Sequence, residues 1–420
     1  MSTAKPIAID PSCADDYDPN SLPVAEALQR IDHIVTPVSA FERVALRTSL
    51  GRALAETIVS PIDVPAHTNS AMDGYAVRTA DLAANDFSLP LVGESSCGDA
   101  PGKLAPGSAM RIFTGAPLPA GADTVVIQED VHVQGEQVRF HRSVKADQNL
   151  RRRGEDFRAG DELVAAGRRL TSYELALLSS AGVATVPVYR RARVLVVATG
   201  NELVAPGQPL APGQIYESNR LATLLQLHEF GVDAVDGGTV RDDPGDLREL
   251  LSNAKDFDFI ITSGGASVGD HDLVKQVFAE IGEINFWKAR VKPGKPIAFG
   301  HIGTKTHFFA LPGNPVSSLV TYILFIEPAL HAWHHARYEL PELRALATSG
   351  FRRRPGRTEF LRAKLEARDG ALYATPLKGQ GSHMLRPLAE TNGFIRVEAE
   401  SSGFDANEQV TAVPIRFAHH

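Results

Sequence analysis

The chain has 420 residues, 43% hydrophobic and 22% charged, with a formal net charge of −7 and two cysteines. That length favours two to four domains, each able to bury a core, and nothing argues for a disordered chain. Mild acidity without a basic stripe argues against nucleic acid as the main partner, and Cys13 and Cys97 are too few for a disulfide framework or a Cys-rich metal site.

Residues 1–20 are polar, contain proline and lack an apolar h-region, so they read as a loose N-terminal arm without a signal peptide. With the low cysteine use, this points to the cytoplasm. No apolar run is expected to cross a membrane, since the best, Val316 to Leu330, is interrupted by Glu327 and Pro328. Leu22 to Val35 predicts an amphipathic helix with Val24, Leu28, Ile31, Ile34 and Val35 on one face. A short strand and a helical stretch around Leu50 to Ala55 follow. From 61 to 156, frequent Gly and Pro and short runs such as Thr124 to Ile127 predict a β-rich domain. The helical pattern returns over Tyr173 to Ala181, closed by Gly182, which would make the β domain an insertion.

From Arg193 to Leu330, strand and helix alternate. Val194 to Ala198, Val232 to Val240 and Phe257 to Thr262 read as strands. Helices are expected at Asn219 to Phe230 (Ser218 as N-cap, Gly231 as stop), after Asp243 with Pro244 at its first position, and from Asp272 to Ile281. This rhythm predicts a doubly wound, mostly parallel sheet, with ligands at the carboxyl ends of its strands. From Leu343, short runs ended by Gly predict a small C-terminal β domain.

Ser263 to Asp272 offers three glycines and two hydroxyls between a strand end and a helix N-terminus, a place where free N–H groups suit an anion. The plain alternative is a tight turn that needs Gly. Gly265-Ala266-Ser267-Val268-Gly269 also fits a nucleophile elbow, which keeps a serine hydrolase using Ser267 in view. Lys288 to Pro296 carries four cations in eight residues; strand alternation would put Lys288, Arg290 and Lys292 on one anion-binding face, or on a solvated edge. Glu202, Asp242, Asp243 and Asp272 lie near strand ends and could hold a divalent metal, although Asp243 before Pro244 is equally a helix cap. The His331, His334 and His335 cluster reads as a helix C-terminal feature.

Several segments resemble one family in order. Asn69-Ser70-Ala71-Met72-Asp73-Gly74-Tyr75-Ala76 is similar to the signature of MoeA-type molybdopterin molybdenumtransferases, relatives of the gephyrin C-terminal domain. Ile112 to Ala116, Pro119 to Val126, Asn149 to Asp156, Thr199 to Leu203, the serine–glycine loop, Lys292 to Pro296, Leu311 to Pro315, Gly356 to Phe360 and Gln380 to His383 match in turn. The resemblance spans roughly Leu22 to Val413. It implies a multidomain α/β and β fold: a helical linking domain (21–60 plus 157–190), an inserted β-rich domain (61–156), a doubly wound α/β molybdopterin-binding domain (191–340) and a C-terminal small β domain (341–420).

The implied reaction inserts molybdate into adenylylated molybdopterin, giving molybdenum cofactor and AMP, with Mg²⁺ and in a homodimer. Molybdopterin adenylyltransferase and molybdoenzymes would be contacts. The implied metal ligands are Glu202, Asp242 and Asp272. Lys288 and Lys292 would bind phosphate or molybdate, with Ser263, Gly264, Gly265, Ser267 and Pro312 around them. Asp73, Thr114, Arg151 and Asp156 would close the site, and Arg357 and Ser382 would hold molybdate. Asp73 and Asp156 could instead cap turns. The chain departs from the pattern at Asn201, where the family usually carries Asp. A non-catalytic scaffold or cofactor carrier on the same fold is the competing reading.

Overall fold

The computed structural model describes residues 21–254, 256–264, 273–303, 305–336 and 338–415. They fall into two compact units, one of residues up to Phe41, Gly51–Ala53 and Tyr189 onward, the other of Glu42–Leu50 and Leu54–Val188.

In the first unit, helix α1 (Val24–Ile34) precedes an alternating run. This run contains β1 (Arg193–Thr199), α2 (Asn219–Phe230), β2 (Asp233–Val240), α3 (Pro244–Asn253), β3 (Phe259–Ser263), α4 (Leu273–Ile281), β4 (Gly282–Lys288), β5 (Val291–Lys292), β6 (Pro296–Ile302), β7 (Thr306–Leu311) and α5 (Pro315–Thr321). The sheet order is β2-β1-β3-β7-β6-β4. The first four strands are parallel, and β6 and β4 are antiparallel additions. Alternation decides which core each residue enters. Val194, Val196, Phe259, Ile261, Phe309 and Leu311 face a cluster that holds Ile31 of α1 and Leu227 of α2. Leu195, Val197, Ile260, Phe308 and Ala310 face the opposite cluster, with Leu247, Leu251 and Phe278. Two buried faces account for the nearly unbroken hydrophobic runs of these strands.

Several local expectations change. Gly231 ends α2 at φ +93°, as its position requires, but Ser218 makes no side-chain cap. The Glu217 carboxylate accepts the Arg220 N–H instead, at 2.6 Å. Asp243 does cap α3, accepting from Gly245 and Asp246. Residues 50–55 form turns and a bridge from Leu54 to Val188, not a helix. Glu327 and Pro328 do not interrupt the apolar run. Tyr322–Ile326 is a π-helical turn, and this widened turn carries the helix past the proline, which has no N–H for the ladder. By length and composition the resulting helix, Pro315–Trp333, could cross a membrane, contrary to expectation, yet 67% of it is buried inside the protein, as in a core helix.

The C-terminal strands β8 (Leu343–Ala347), β9 (Thr358–Arg368), β10 (Ala371–Pro376), β11 (Gly393–Val397) and β12 (Gln409–Pro414) pair as β9-β10-β8-β12-β11, and β9 also pairs with β11, closing a small barrel. A short helix, α6 (Leu385–Glu390), interrupts this otherwise all-β segment. Strand β5 adds to the edge of β9, setting Lys292 beside Glu359.

In the second unit, a six-stranded sheet runs in the order 124–127, 74–77, 109–112, 88–95, 137–140, 131–134. Segments on either side of it pair with each other, Ile58–Val59 with Glu162–Val164 and Phe41–Ala45 with Thr185–Tyr189. Helix α1 packs in the other unit, apart from residues 157–188.

Candidate active site

Three parallel strands end side by side, with Ala198 opposite Ser263 and Ser263 opposite Leu311. The chain leaves β3 through Gly264, whose φ is +91° and whose N–H donates to Leu311 O at 3.2 Å. A Cβ on Gly264 would lie 2.5 Å from Thr199 O and 3.0 Å from Thr199 Oγ1. Glycine is therefore required both by backbone angle and by close approach. Gly313, after the buried Pro312, packs against Gly264. Asn219 Nδ2 donates to Gly313 O at 2.8 Å, which ties the N-terminus of α2 to the same point. Ser263 is buried. The Thr199 and Thr262 hydroxyls are buried without a hydrogen-bond partner among the described residues. Gly265, Ser267 and Asp272, and with them the expected nucleophile elbow, lie outside the described residues.

Beside the glycines, Asn201 and Asp242 face each other. The Asn201 N–H donates to Asp242 Oδ2 and the Asp242 N–H to Asn201 Oδ1, both at 3.3 Å. Glu202 is the next residue, and its carboxylate folds back over Gly200. Among the described residues no three His, Cys, Asp or Glu side chains group as a metal site. Two carboxylates and an amide oxygen still suit Mg²⁺, which takes its remaining ligands from phosphate and water.

The basic segment is not one strand. Lys288 ends β4 opposite Pro296, whereas Lys292 belongs to β5 in the other sheet, before a cis bond to Pro293. Breaking the alternation separates the expected Lys288–Arg290–Lys292 face. Arg290 donates to Gly356 O at 3.3 Å. Lys292 is mostly buried and pairs with Glu359 at 3.4 Å; Glu359 also holds the buried Arg353 at 3.3 Å. Lys292 is thus no solvated edge residue. Arg357 follows Gly356, half-buried, at the entrance to β9. Ser382 O accepts the Val316 N–H at 3.0 Å, joining the 379–382 loop to the first turn of α5. The histidines at the end of the long helix are packed among rings: His335 stacks on Tyr189, and His331 on Tyr338.

In the second unit, Asp73 Oδ1 accepts the Thr114 N–H and O–H, each at 2.7 Å, and these bonds hold its carboxyl below the usual range. Cys97 donates to Thr114 O at 2.9 Å. Arg151 pairs with Asn69, and Gly115 N–H donates to Ser70 O at 2.8 Å, so Asp73, Thr114 and Arg151 lie on loops of one corner. Asp73 therefore does not cap its own turn but ties it to the distant Thr114 segment. Asp156 is exposed, and in its turn Glu155 does the capping, accepting Arg152 N–H at 2.6 Å.

Sequence reasoning gave no role to Glu359 and Gln380, which lie in matching segments, and passed over Arg362. Arg362 sits between buried Leu361 and Ala363 in a strand, and a charge at such a position is the signal that would have exposed it.

These features together define an α/β domain of molybdopterin-binding type flanked by an N-terminal region and a small C-terminal barrel. Residues 22–182 match the MoeA N-terminal region (domains I and II), 195–332 the Probable molybdopterin binding domain and 344–415 the MoeA C-terminal region (domain IV). The chain is 39% identical over 379 residues to the molybdopterin molybdenumtransferase of Haemophilus influenzae, covering 89% of this chain and 93% of that one. It is 34% identical over 409 residues to that of Bacillus subtilis, covering 94% of each. A molybdopterin biosynthesis MoeA protein from Pyrococcus horikoshii superposes with a TM-score of 0.79 at 33% identity, over 94% of this chain and 99% of that one. The chain belongs to the molybdopterin molybdenumtransferase family, and so to molybdenum cofactor biosynthesis.

Proposed function

We propose that the chain inserts molybdate into adenylylated molybdopterin, releasing molybdenum cofactor and AMP. The observation that carries this reading is the meeting of Thr199–Gly200, Ser263–Gly264 and Pro312–Gly313 at neighbouring strand ends, beside Asp242. Close-packed glycines let a pyrophosphate approach the backbone, and strand ends of a doubly wound sheet are where such ligands bind. The buried Lys292 and the cationic 353–357 segment supply positive charge for an incoming oxyanion, which must approach an already anionic partner.

Mg²⁺ is the proposed metal, held by Asp242 and Glu202 with Asp272; when bound it would neutralise the phosphate oxygens as AMP departs. Asn201 holds Asp242 in place through the reciprocal pair. Asp73, Thr114, Arg151 and Asp156 are proposed to close the site from the partner subunit of a homodimer. A homodimer in the cytoplasm is the proposed working form, passing its product to molybdoenzymes and receiving substrate from a molybdopterin adenylyltransferase. Incubation with adenylylated molybdopterin, Mg²⁺ and molybdate is expected to release AMP; its absence would overturn the proposal.

A further inference from the structure

Arg362 is the largest fully buried side chain among the described residues, 1% exposed, and no step of the reaction calls on it. Its position explains the burial. On one flank of β9, the ladder is filled in three pieces. Strand β5 pairs with Thr358 and Glu359, and β10 pairs from Ala363 onward. Between them, Arg362 O accepts the Leu377 N–H, just past the end of β10, at 2.9 Å. Gln380 completes that rung with its side chain: its Oε1 accepts the Arg362 N–H and its Nε2 donates to Arg362 O, both at 3.0 Å, and to Leu377 O at 2.8 Å. The Arg362 guanidinium donates to Gly379 O at 2.8 Å and Gly381 O at 3.2 Å, on either side of Gln380. One residue on, Ser382 O accepts the Val316 N–H of α5.

Charge-assisted bonds in a dry site are the strong ones, and here they hold a loop whose flanking glycines leave its backbone conformationally free. We propose that Arg362 and Gln380 are positioning residues that latch the 379–382 loop and so fix Ser382 for an incoming tetrahedral oxyanion. This inference rests on the reading of Ser382 as a molybdate contact. Arg362 does not itself touch the anion. It sets the loop from behind, through backbone carbonyls, and the loop in turn completes the first turn of α5, which follows Pro312–Gly313.

The test compares Gln380→Ala, Arg362→Met, Arg362→Lys and Ser382→Ala in the full chain. Circular dichroism checks the fold. If Arg362→Met fails to fold, Gln380→Ala carries the test alone, since Gln380 is only half-buried. Hydrogen exchange at the Val316 amide is measured with no substrate present, and KM for molybdate and kcat are measured separately. Gln380→Ala and Arg362→Met are expected to speed Val316 exchange and raise KM for molybdate, Gln380→Ala by about tenfold through loss of neutral side-chain bonds and Arg362→Met by at least about that through loss of two charge-assisted ones, with kcat changed much less. Arg362→Lys, which keeps a cationic donor, is expected to recover part of both effects. Unchanged Val316 exchange in Gln380→Ala would overturn the latch. Faster exchange with an unchanged KM would overturn its role in anion binding, provided Ser382→Ala raises that KM. If Ser382→Ala leaves the KM unchanged, the reading of Ser382 falls and the inference falls with it.

Discussion

His307 offers a perturbation whose size follows from its surroundings. It lies on β7, 5% exposed, with the Phe259 ring at 5.1 Å and the Phe299 ring at 6.4 Å. Burial first, and then the nearby His301, push its pKa from 6.5 down to about 4. A protonated His307 is therefore disfavoured in the folded chain. Above pH 6.5 the ring is neutral in both states and nothing is lost. As pH falls from 6.5 towards 4, the unfolded chain takes up the proton and the folded one does not, so stability falls by roughly 1.4 kcal/mol per pH unit, to a total of about 3 kcal/mol. His307→Phe removes the titrating ring and keeps an aromatic fill, so this portion of the slope is expected to vanish. Urea unfolding between pH 7.5 and 4.5 can be followed by tryptophan fluorescence. Both tryptophans, 287 and 333, belong to the unit that contains His307, so the signal is specific to it. Equal pH slopes for the two proteins would refute the argument.

Gly264→Ala sets a Cβ against Thr199 O at a φ of +91°, and is expected to cost at least about 2 kcal/mol by urea unfolding and to abolish AMP release. In the second unit, Thr171 caps the helix Ser172–Ser180 in a box with Glu174; bonds from the Thr171 hydroxyl and amide hold the Glu174 carboxyl at about 2. Thr171→Ala is expected to lose about 1 kcal/mol, read by hydrogen exchange in that helix. The Glu174 contribution should be complete above pH 4.5 and lost as pH falls towards 2, so Thr171→Ala and the parent should converge in acid. Asn201→Asp keeps the bond to the Asp242 amide and adds a charge, so it is expected to tighten Mg²⁺ by several-fold, about 1 kcal/mol, in calorimetry; unchanged affinity would argue against metal at this point.

The central parallel strands β1 and β3 were legible because they are buried on both faces and written as nearly uninterrupted Val, Leu, Ile and Phe runs. Positive φ made Gly231 readable as a helix stop, and Gly264 adds to positive φ a close approach to Thr199. The 288–292 segment misled because periodicity assumes one continuous strand, and a break at Ala289–Arg290 sends Lys292 to a different sheet. Leu50 to Ala55 carries helix-favouring residues, yet Leu54 is drawn into a bridge with Val188, a partner 134 residues away that no local window contains. Pro328 looked like a stop because proline normally ends a helix; the π turn before it is a tertiary accommodation. Arg362 escaped because its partners are carbonyls, and carbonyls leave no mark in a sequence.

The central claim is that AMP release and molybdenum insertion are one event on this chain. The most direct measurement runs the reaction with adenylylated molybdopterin, Mg²⁺ and molybdate, and quantifies both AMP and pterin-bound molybdenum. The account predicts that the two appear together, one for one, and that both fall away in Asp242→Ala. AMP released without bound molybdenum, or neither product from the parent chain, would contradict it.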